Sequence, residues 1–332
     1  MPLAMKMLQR RRREPATVSN DEREALARLV RRPLFELIPL RDALERAASL
    51  PAGAAATVTA SPTHGIESTI ELCEGLIALG HPATPHLAAH MIRDRAHLAA
   101  LLARCGSSGI RDAFVVGGDA KDRGEIHDGL ALLRLMEELG HPFEAIGVAG
   151  YPEGHPSIPD EVLLASLKEK QAHATYLTTQ MSFEADAIAG WIGRVRNAGV
   201  TLPIHLGLPG VVHLRRLLRV AARIGVGGSV RYLRKNRQLF RLLFGRSFTP
   251  ERLLGSLGPT LADIAREKLA VVHDWMWKPH GEPHYRPRVF KTLVRGLLGL
   301  RGRHIRYTAS CCVTLRAGFV GVESRGFPQL IK

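Results

Sequence analysis

A glutamate stands inside an apolar run, Leu34-Phe35-Glu36-Leu37-Ile38, which Pro39 closes. A carboxylate there is costly unless it is paired or put to use. Burial raises the pKa of such a group and suits it to general-acid work near neutral pH. An outward-facing or salt-bridged Glu is the plain alternative. Asp119 follows Val115-Val116-Gly117-Gly118, where the two glycines let the backbone approach a ligand closely. The competing role for Asp119 is an N-cap on the next helix. Tyr151-Pro152-Glu153-Gly154-His155-Pro156 follows Gly147-Val148-Ala149-Gly150, a proline- and glycine-fixed loop that presents Tyr, Glu and His together. His86 follows Pro85, with His90 four residues on. No acidic cluster accompanies this pair, so it reads as a donor to an anionic or carbonyl group and not as a metal site. Gln180 closes the run Tyr176 to Thr179.

These residues sit where short apolar runs end, and the runs alternate with amphipathic stretches. Strands are expected at 34–38, 55–59, 83–88, 113–116, 145–149, 176–179 and 202–206. Helices are expected at 66–79, 94–105, 125–139, 160–173, 185–198 and 213–224. Seven such alternations indicate an α/β fold with a parallel sheet. Their spread over roughly 240 residues fits an eight-fold (β/α)8 TIM barrel better than an open sheet. No dinucleotide glycine fingerprint follows the first strand, which weighs against a Rossmann fold. In a barrel, the polar residues at strand C-terminal ends converge on one site. Those residues are Glu36, Thr59, His86, Asp119, Tyr151 with Glu153 and His155, Gln180, and the loop from Gly207 to Gly210.

At these positions the sequence resembles the methylenetetrahydrofolate reductase family, from about Phe35 to about Leu217. The matching pieces occur in the family's order: Phe35-Glu36 before Pro39, Val58-Thr59, Pro85-His86-Leu87, and Gly109-Ile110 leading to Gly118-Asp119. Then come Val148-Ala149 with the Tyr151 to Pro156 loop, Leu167-Lys168 with Lys170, Thr179-Gln180 and Gly207. The resemblance implies an eight-stranded barrel holding FAD. It also implies a ping-pong oxidoreductase that reduces 5,10-methylenetetrahydrofolate to 5-methyltetrahydrofolate with NADH or NADPH as co-substrate. Glu36 matches the family's general acid. Asp119 matches the acid that contacts the pterin and tunes the flavin, and Gln180 matches the pterin-binding glutamine. Thr59, His86, Gly118, Tyr151, His155 and Lys170 match flavin-contacting positions. Gly117 stands where many members carry an arginine, Ser166 where an asparagine contacts the flavin, Leu163 where an aspartate is common, and Leu214 where an aromatic residue is usual.

The chain has 332 residues and a formal net charge of +15, from 46 Lys+Arg against 31 Asp+Glu. At about 150 residues per domain this is one large domain or two ordinary ones. Charged residues at 23% and hydrophobic residues at 45% exclude wholesale disorder. No run of 18 apolar residues offers a spanning helix, and no apolar segment follows the charges near the N-terminus, which argues against a secretory signal. Four cysteines, Cys73, Cys105, Cys311 and Cys312, without zinc spacing fit a reduced, cytoplasmic protein. The positive charge is concentrated. From His213 to Arg246 there are ten Lys or Arg and no acidic residue. This raises a basic nucleic-acid-binding protein as one alternative, although few aromatics are available for base stacking. A related folate-binding barrel with altered or lost flavin activity is the other. The expected partners are small molecules, folate and NAD(P)H, with no membrane; homo-oligomerisation stays open.

The expected organisation is an arm at 1–32, the barrel at 33–278 and a basic extension at 279–332. The family usually closes its barrel with an aromatic-threonine-aromatic-asparagine strand, which is absent. The best eighth strand is Leu269-Ala270-Val271-Val272-His273, with Ile305 to Thr308 as the alternative. The extension has little periodicity, and disorder is one reading of it.

Overall fold

A computed structural model describes residues 34–209, apart from 49, 121–122, 156 and 183–184, and five short strands at 212–213, 247–248, 270–273, 306–307 and 313–314. The arm at 1–32, most of the basic stretch at 213–246 and most of the 279–332 extension lie outside the described residues.

Seven strands follow one another in parallel: β1 (Leu34–Leu37), β2 (Ala56–Val58), β3 (Ala83–Ala88), β4 (Asp112–Val116), β5 (Ala145–Gly150), β6 (Tyr176–Thr179) and β7 (Ile204–Pro209). After two-residue strands β8 (Val212–His213) and β9 (Ser247–Phe248), β10 (Ala270–His273) inserts between β7 and β1 and closes an eight-stranded barrel. Leu34 and Phe35 pair with Val271 and Val272, while Ala270 to His273 pair with Leu206 to Pro209. Residues 270–273 of the expected run therefore close the barrel. The alternative at 305–308 does not, because β11 (Arg306–Tyr307) pairs antiparallel with β12 (Val313–Thr314) in a separate ladder.

Strand periodicity decides which side chains face the helices. Leu37, Val58, Leu87, Val115, Val148, Leu177 and Leu206 share one buried cluster with Ile70, Leu76, Leu98, Leu102, Leu133, Met136, Ile188 and Ile192 of the helices. Their odd-numbered or even-numbered neighbours alternate into the barrel. The helices between the strands are α1 (Ala43–Ala47), α2 (Gly65–Ala78), α3 (Arg95–Ser107), α4 (Gly129–Leu139), α5 (Asp160–Lys170) and α6 (Ala185–Asn197). Helix α6 buries Ile188, Trp191, Ile192 and Val195, an i, i+3, i+4, i+7 stripe.

Several boundaries differ from those expected. Helix α4 starts at Gly129, not near Glu125. Asp128 is extended, and its carboxylate accepts from Leu130 N at 2.8 Å and Ala131 N at 2.9 Å. The amides of Gly124 and Glu125 donate instead to the carbonyls of His90 and Arg93, which holds that segment against the end of β3. β7 starts at Ile204 rather than Leu202, since Pro203 has no N–H to contribute and only its carbonyl pairs, with Leu177 N. His213, expected to open a helix, lies in strand β8, where it pairs with Ser247.

Inside the barrel, one glycine makes room for two rings. A Cβ on Gly147 would overlap the Tyr176 ring and lie 2.7 Å from Phe114 Cδ2. Gly147→Ala should therefore destabilise the protein by about 1–3 kcal/mol through overpacking. A thermal melt checks this; an unchanged midpoint would mean the two rings move aside freely.

Candidate active site

The C-terminal ends of the parallel strands gather at one mouth. Glu36 is the third of four residues of β1, between Phe35 and Leu37, and is only 8% exposed. Leu37 belongs to the helix-facing cluster, so Glu36 points into the barrel. The outward-facing alternative does not hold. Its register partner on β2 is Thr57, a buried residue whose hydroxyl donates to the Thr84 carbonyl at 3.0 Å. Thr59 follows β2; its N–H donates to Leu37 O and its carbonyl accepts from Thr69 Oγ1 at 3.1 Å, which ties α2 to the mouth.

His86 lies on the inward face of β3, with its ring 4.7 Å from that of Phe114. Beyond β4, Gly118 adopts φ +90°, and a Cβ there would lie 3.1 Å from Ala88 Cβ. Only glycine takes this conformation without strain. Asp119 follows it and is exposed. The cap of α4 is Asp128, nine residues later, so the helix-cap role considered for Asp119 falls away.

After β5, Tyr151 and His155 meet edge-to-face at 5.2 Å, across a turn closed by Gly154 N donating to Tyr151 O. Burial pushes the Tyr151 hydroxyl pKa up and the His155 pKa down, so both favour their neutral forms. Gln180 follows β6 and donates its N–H to Gly150 O at 2.7 Å, which places it beside Tyr151.

Lys170 closes α5, yet its ammonium reaches the start of α4: a Cβ on Gly129 would lie 3.5 Å from Lys170 Nζ and close to Val116 and Gly117. Burial lowers the Lys170 pKa, opposed by the nearby Asp128 carboxylate. A desolvated ammonium beside a helix N-terminus suits a bound anion. Leu163 lies on a different side. It lines a cavity of about 230 Å³ with Tyr151, Leu164 and Trp191, between α5 and α6.

A second polar group lies at the opposite end of the barrel, among residues that open their strands and so are not marked by strand C-terminal ends. Asp112 opens β4 and accepts from Tyr176 OH at 3.1 Å and Thr84 Oγ1 at 3.2 Å. The Tyr176 ring stacks on His205 at 4.4 Å. Burial pushes the Asp112 pKa up to about 6, against the hydrogen bonds from Tyr176, Thr84 and the Ala113 amide. Burial and the neighbouring Asp112 raise that of Tyr176, and burial lowers His205 to about 4. His205 Nδ1 is buried without a hydrogen-bond partner. The period-two alternation at 112–116 and 176–179 was the available signal, since it puts Asp112 and Tyr176 on the inner face. Among the described residues, no group of three or more His, Cys, Asp or Glu is placed to hold a metal ion. None of the described helices is long and apolar enough to cross a membrane.

Closed parallel barrel and polar mouth together define a (β/α)8 protein of the kind whose ligands sit at the C-terminal face. The family model described as methylenetetrahydrofolate reductase matches residues 38–226, more than half of the chain. The chain belongs to the methylenetetrahydrofolate reductase family. It is 33% identical over 128 residues to a "Probable methylenetetrahydrofolate reductase (NADPH)" of Caenorhabditis elegans, covering 36% of this chain and 19% of that protein. "Methylenetetrahydrofolate reductase 2" of Saccharomyces cerevisiae is 40% identical over 91 residues, 26% of this chain and 15% of that protein. "Methylenetetrahydrofolate reductase 1" of Schizosaccharomyces pombe is 29% identical over 138 residues, 38% of this chain and 23% of that protein. The alignments thus span less than a quarter of each relative's length.

Proposed function

We propose that the chain is a reductase that uses NADH or NADPH to convert 5,10-methylenetetrahydrofolate into 5-methyltetrahydrofolate, with FAD as its cofactor. The observation that supports this most is spatial. The segment matched to the family carries Thr59, His86, Asp119, Tyr151 and Gln180 to one barrel mouth, and Glu36 enters the same interior two residues ahead of it. The proposed reductase unit runs from 33 to 278, since β1 opens the barrel and β10 closes it.

The residues present fit a flavin dinucleotide. Lys170 and the N-terminus of α4 provide a cationic cradle for its pyrophosphate. Gly117 and Gly118 let a flat ring system approach the end of β4, and a Cβ on Gly117 would meet nothing within 4 Å. FAD, when bound there, would supply two-electron hydride chemistry between the nicotinamide and the one-carbon unit. Tyr151, His155, Thr59 and His86 orient it. Asp119 and Gln180 hold the pterin. Glu36 holds the proton that opens the methylene bridge, in a position from which bulk water is largely excluded.

Gly117 lacks the arginine common in the family, and the Leu163 side chain lines the cavity toward α6. Lys170 then carries most of the phosphate attraction. Lys170→Met should weaken FAD binding by about 10- to 100-fold, the worth of one charged hydrogen bond. Quenching of FAD fluorescence on titration into the apoprotein measures it; equal affinity would place the pyrophosphate elsewhere.

The visible absorption spectrum of the purified protein, before and after added FAD, tests the cofactor. Coupled NAD(P)H oxidation and folate reduction tests the activity. A protein that takes up no FAD and reduces no folate would favour the folate-binding barrel without reductase chemistry. Tight DNA retention at roughly 0.15 M salt would favour the basic nucleic-acid reading.

A further inference from the structure

Four inward residues on adjacent strands stand in one register row. Glu36 pairs with Thr57, and Thr57 pairs with Thr84. Thr84 stands beside Asp112, two residues below the His86–Phe114 pair, and is hydrogen bonded to it through Oγ1. The row crosses β4, β3, β2 and β1 in three steps, each about one strand spacing of 4.8 Å. It also climbs. Asp112 is the first residue of β4 at the N-terminal end of the barrel, whereas Glu36 is the next-to-last of β1, near the mouth. Strand tilt in a closed barrel produces this ascent. Such positions ordinarily hold branched apolar residues.

Solvent access differs along the row. Thr57 and Thr84 are 3% and 4% exposed and Glu36 is 8% exposed, while Asp112, at the foot, is only partly buried. A folate seated over the mouth covers Glu36 further. The acid that has given up its proton there is cut off from solvent on its own side.

We propose that Asp112, Thr84 and Thr57 form a proton path through the barrel interior that resupplies Glu36 from the N-terminal face. This rests on Glu36 being the acid of the folate step. The protonated Asp112 carboxyl gives its proton to Thr84 Oγ1, Thr84 passes its hydroxyl proton to Thr57 Oγ1, and Thr57 passes its own to the Glu36 carboxylate. One O–H bond forms for each that breaks, and no electrons leave the chain of groups. Water at the foot then reprotonates Asp112. Both hydroxyls must rotate first, Thr84 away from Asp112 Oδ2 and Thr57 away from the Thr84 carbonyl, so each gives up one hydrogen bond.

The titratable groups around the foot are Tyr176 on β6 and His205 on β7, stacked on one another. Tyr176 keeps its proton and donates to Asp112, and His205 is neutral. Around the head, His86 lies on β3, and His273 lies on β10 one register step beyond the Phe35–Val272 pair. Burial brings the Asp112 pKa up to about 6, which suits it to take up a proton near neutrality.

Thr84→Val keeps the shape and deletes the hydroxyl. The folate step should slow about tenfold on the alkaline side of neutrality and little on the acid side, within the about 10²–10⁴-fold that a general acid contributes. A small buffer acid such as imidazolium should restore it in proportion to concentration, by reaching Glu36 through the mouth in the interval when no folate covers it. Thr84→Ser should behave as the parent. Thr57→Val should repeat the pattern and serves as the measurement if Thr84→Val does not fold. Profiles that coincide with the parent's, or a loss independent of pH and buffer acid, would make the row purely structural. If Glu36→Gln also left the folate step intact, or the parent reduced no folate, the proposed function itself would fall and the path with it.

Discussion

Glu36→Gln should leave the reduction of bound flavin by NAD(P)H at its parental rate while slowing folate reduction by about 10²–10⁴-fold. Amide and carboxyl are nearly the same shape, and Glu36 occupies a short strand whose two flanking side chains are buried in the barrel wall. The fold should survive. What is removed is the proton, which the first half-reaction does not need and the opening of the methylene bridge does. Stopped-flow measurement of the two halves separately makes the distinction. Equal loss in both would mean that Glu36 supports the barrel and is not the acid.

The barrel was legible because its outer wall obeys a local rule. Alternate apolar residues at 34–38, 55–59 and 113–116 face the helices, and the structure builds strands at all three. The closing strand at 270–273 was legible for the same reason, although 60 residues separate it from β7. What escaped depends on distant partners. The start of α4 could not be placed from its own residues, because the amides at 124 and 125 are claimed by the loop after β3. The mouth residues could be assembled, since a parallel barrel brings strand ends together whatever the register. The row from Asp112 to Glu36 could not. It depends on which residue of one strand lies beside which of the next, and no single segment encodes that. His205 and Tyr176, each near the start of its strand, likewise gained a meaning only when the two rings were found stacked.

Asp112→Asn should stabilise the protein at neutral and alkaline pH and make no difference in acid. Burial raises the Asp112 pKa from 3.8 to about 6 in the folded chain. Between those two values the folded state binds more protons than the unfolded one, so stability falls as pH rises through the window and levels off above it. A shift of this size corresponds to at most about 3 kcal/mol, reduced somewhat because the group is half-buried. Asparagine carries no charge to desolvate. It can still accept from Tyr176 OH through its carbonyl and donate to Thr84 Oγ1 through its amide. The difference between the two unfolding free energies, measured by urea titration at about pH 4 and about pH 8, cancels the titrating groups that Asp112 does not touch. It should grow from near zero to about 2–3 kcal/mol. Parallel curves would show that the carboxylate is solvated well enough at the foot of the barrel to ionise freely. A cost of that size at neutral pH would be hard to explain by packing, since Asn or Leu would fill the place. A group that must take up and release a proton near neutrality needs that environment, and Asp112 stands at the less buried end of the row that leads to Glu36.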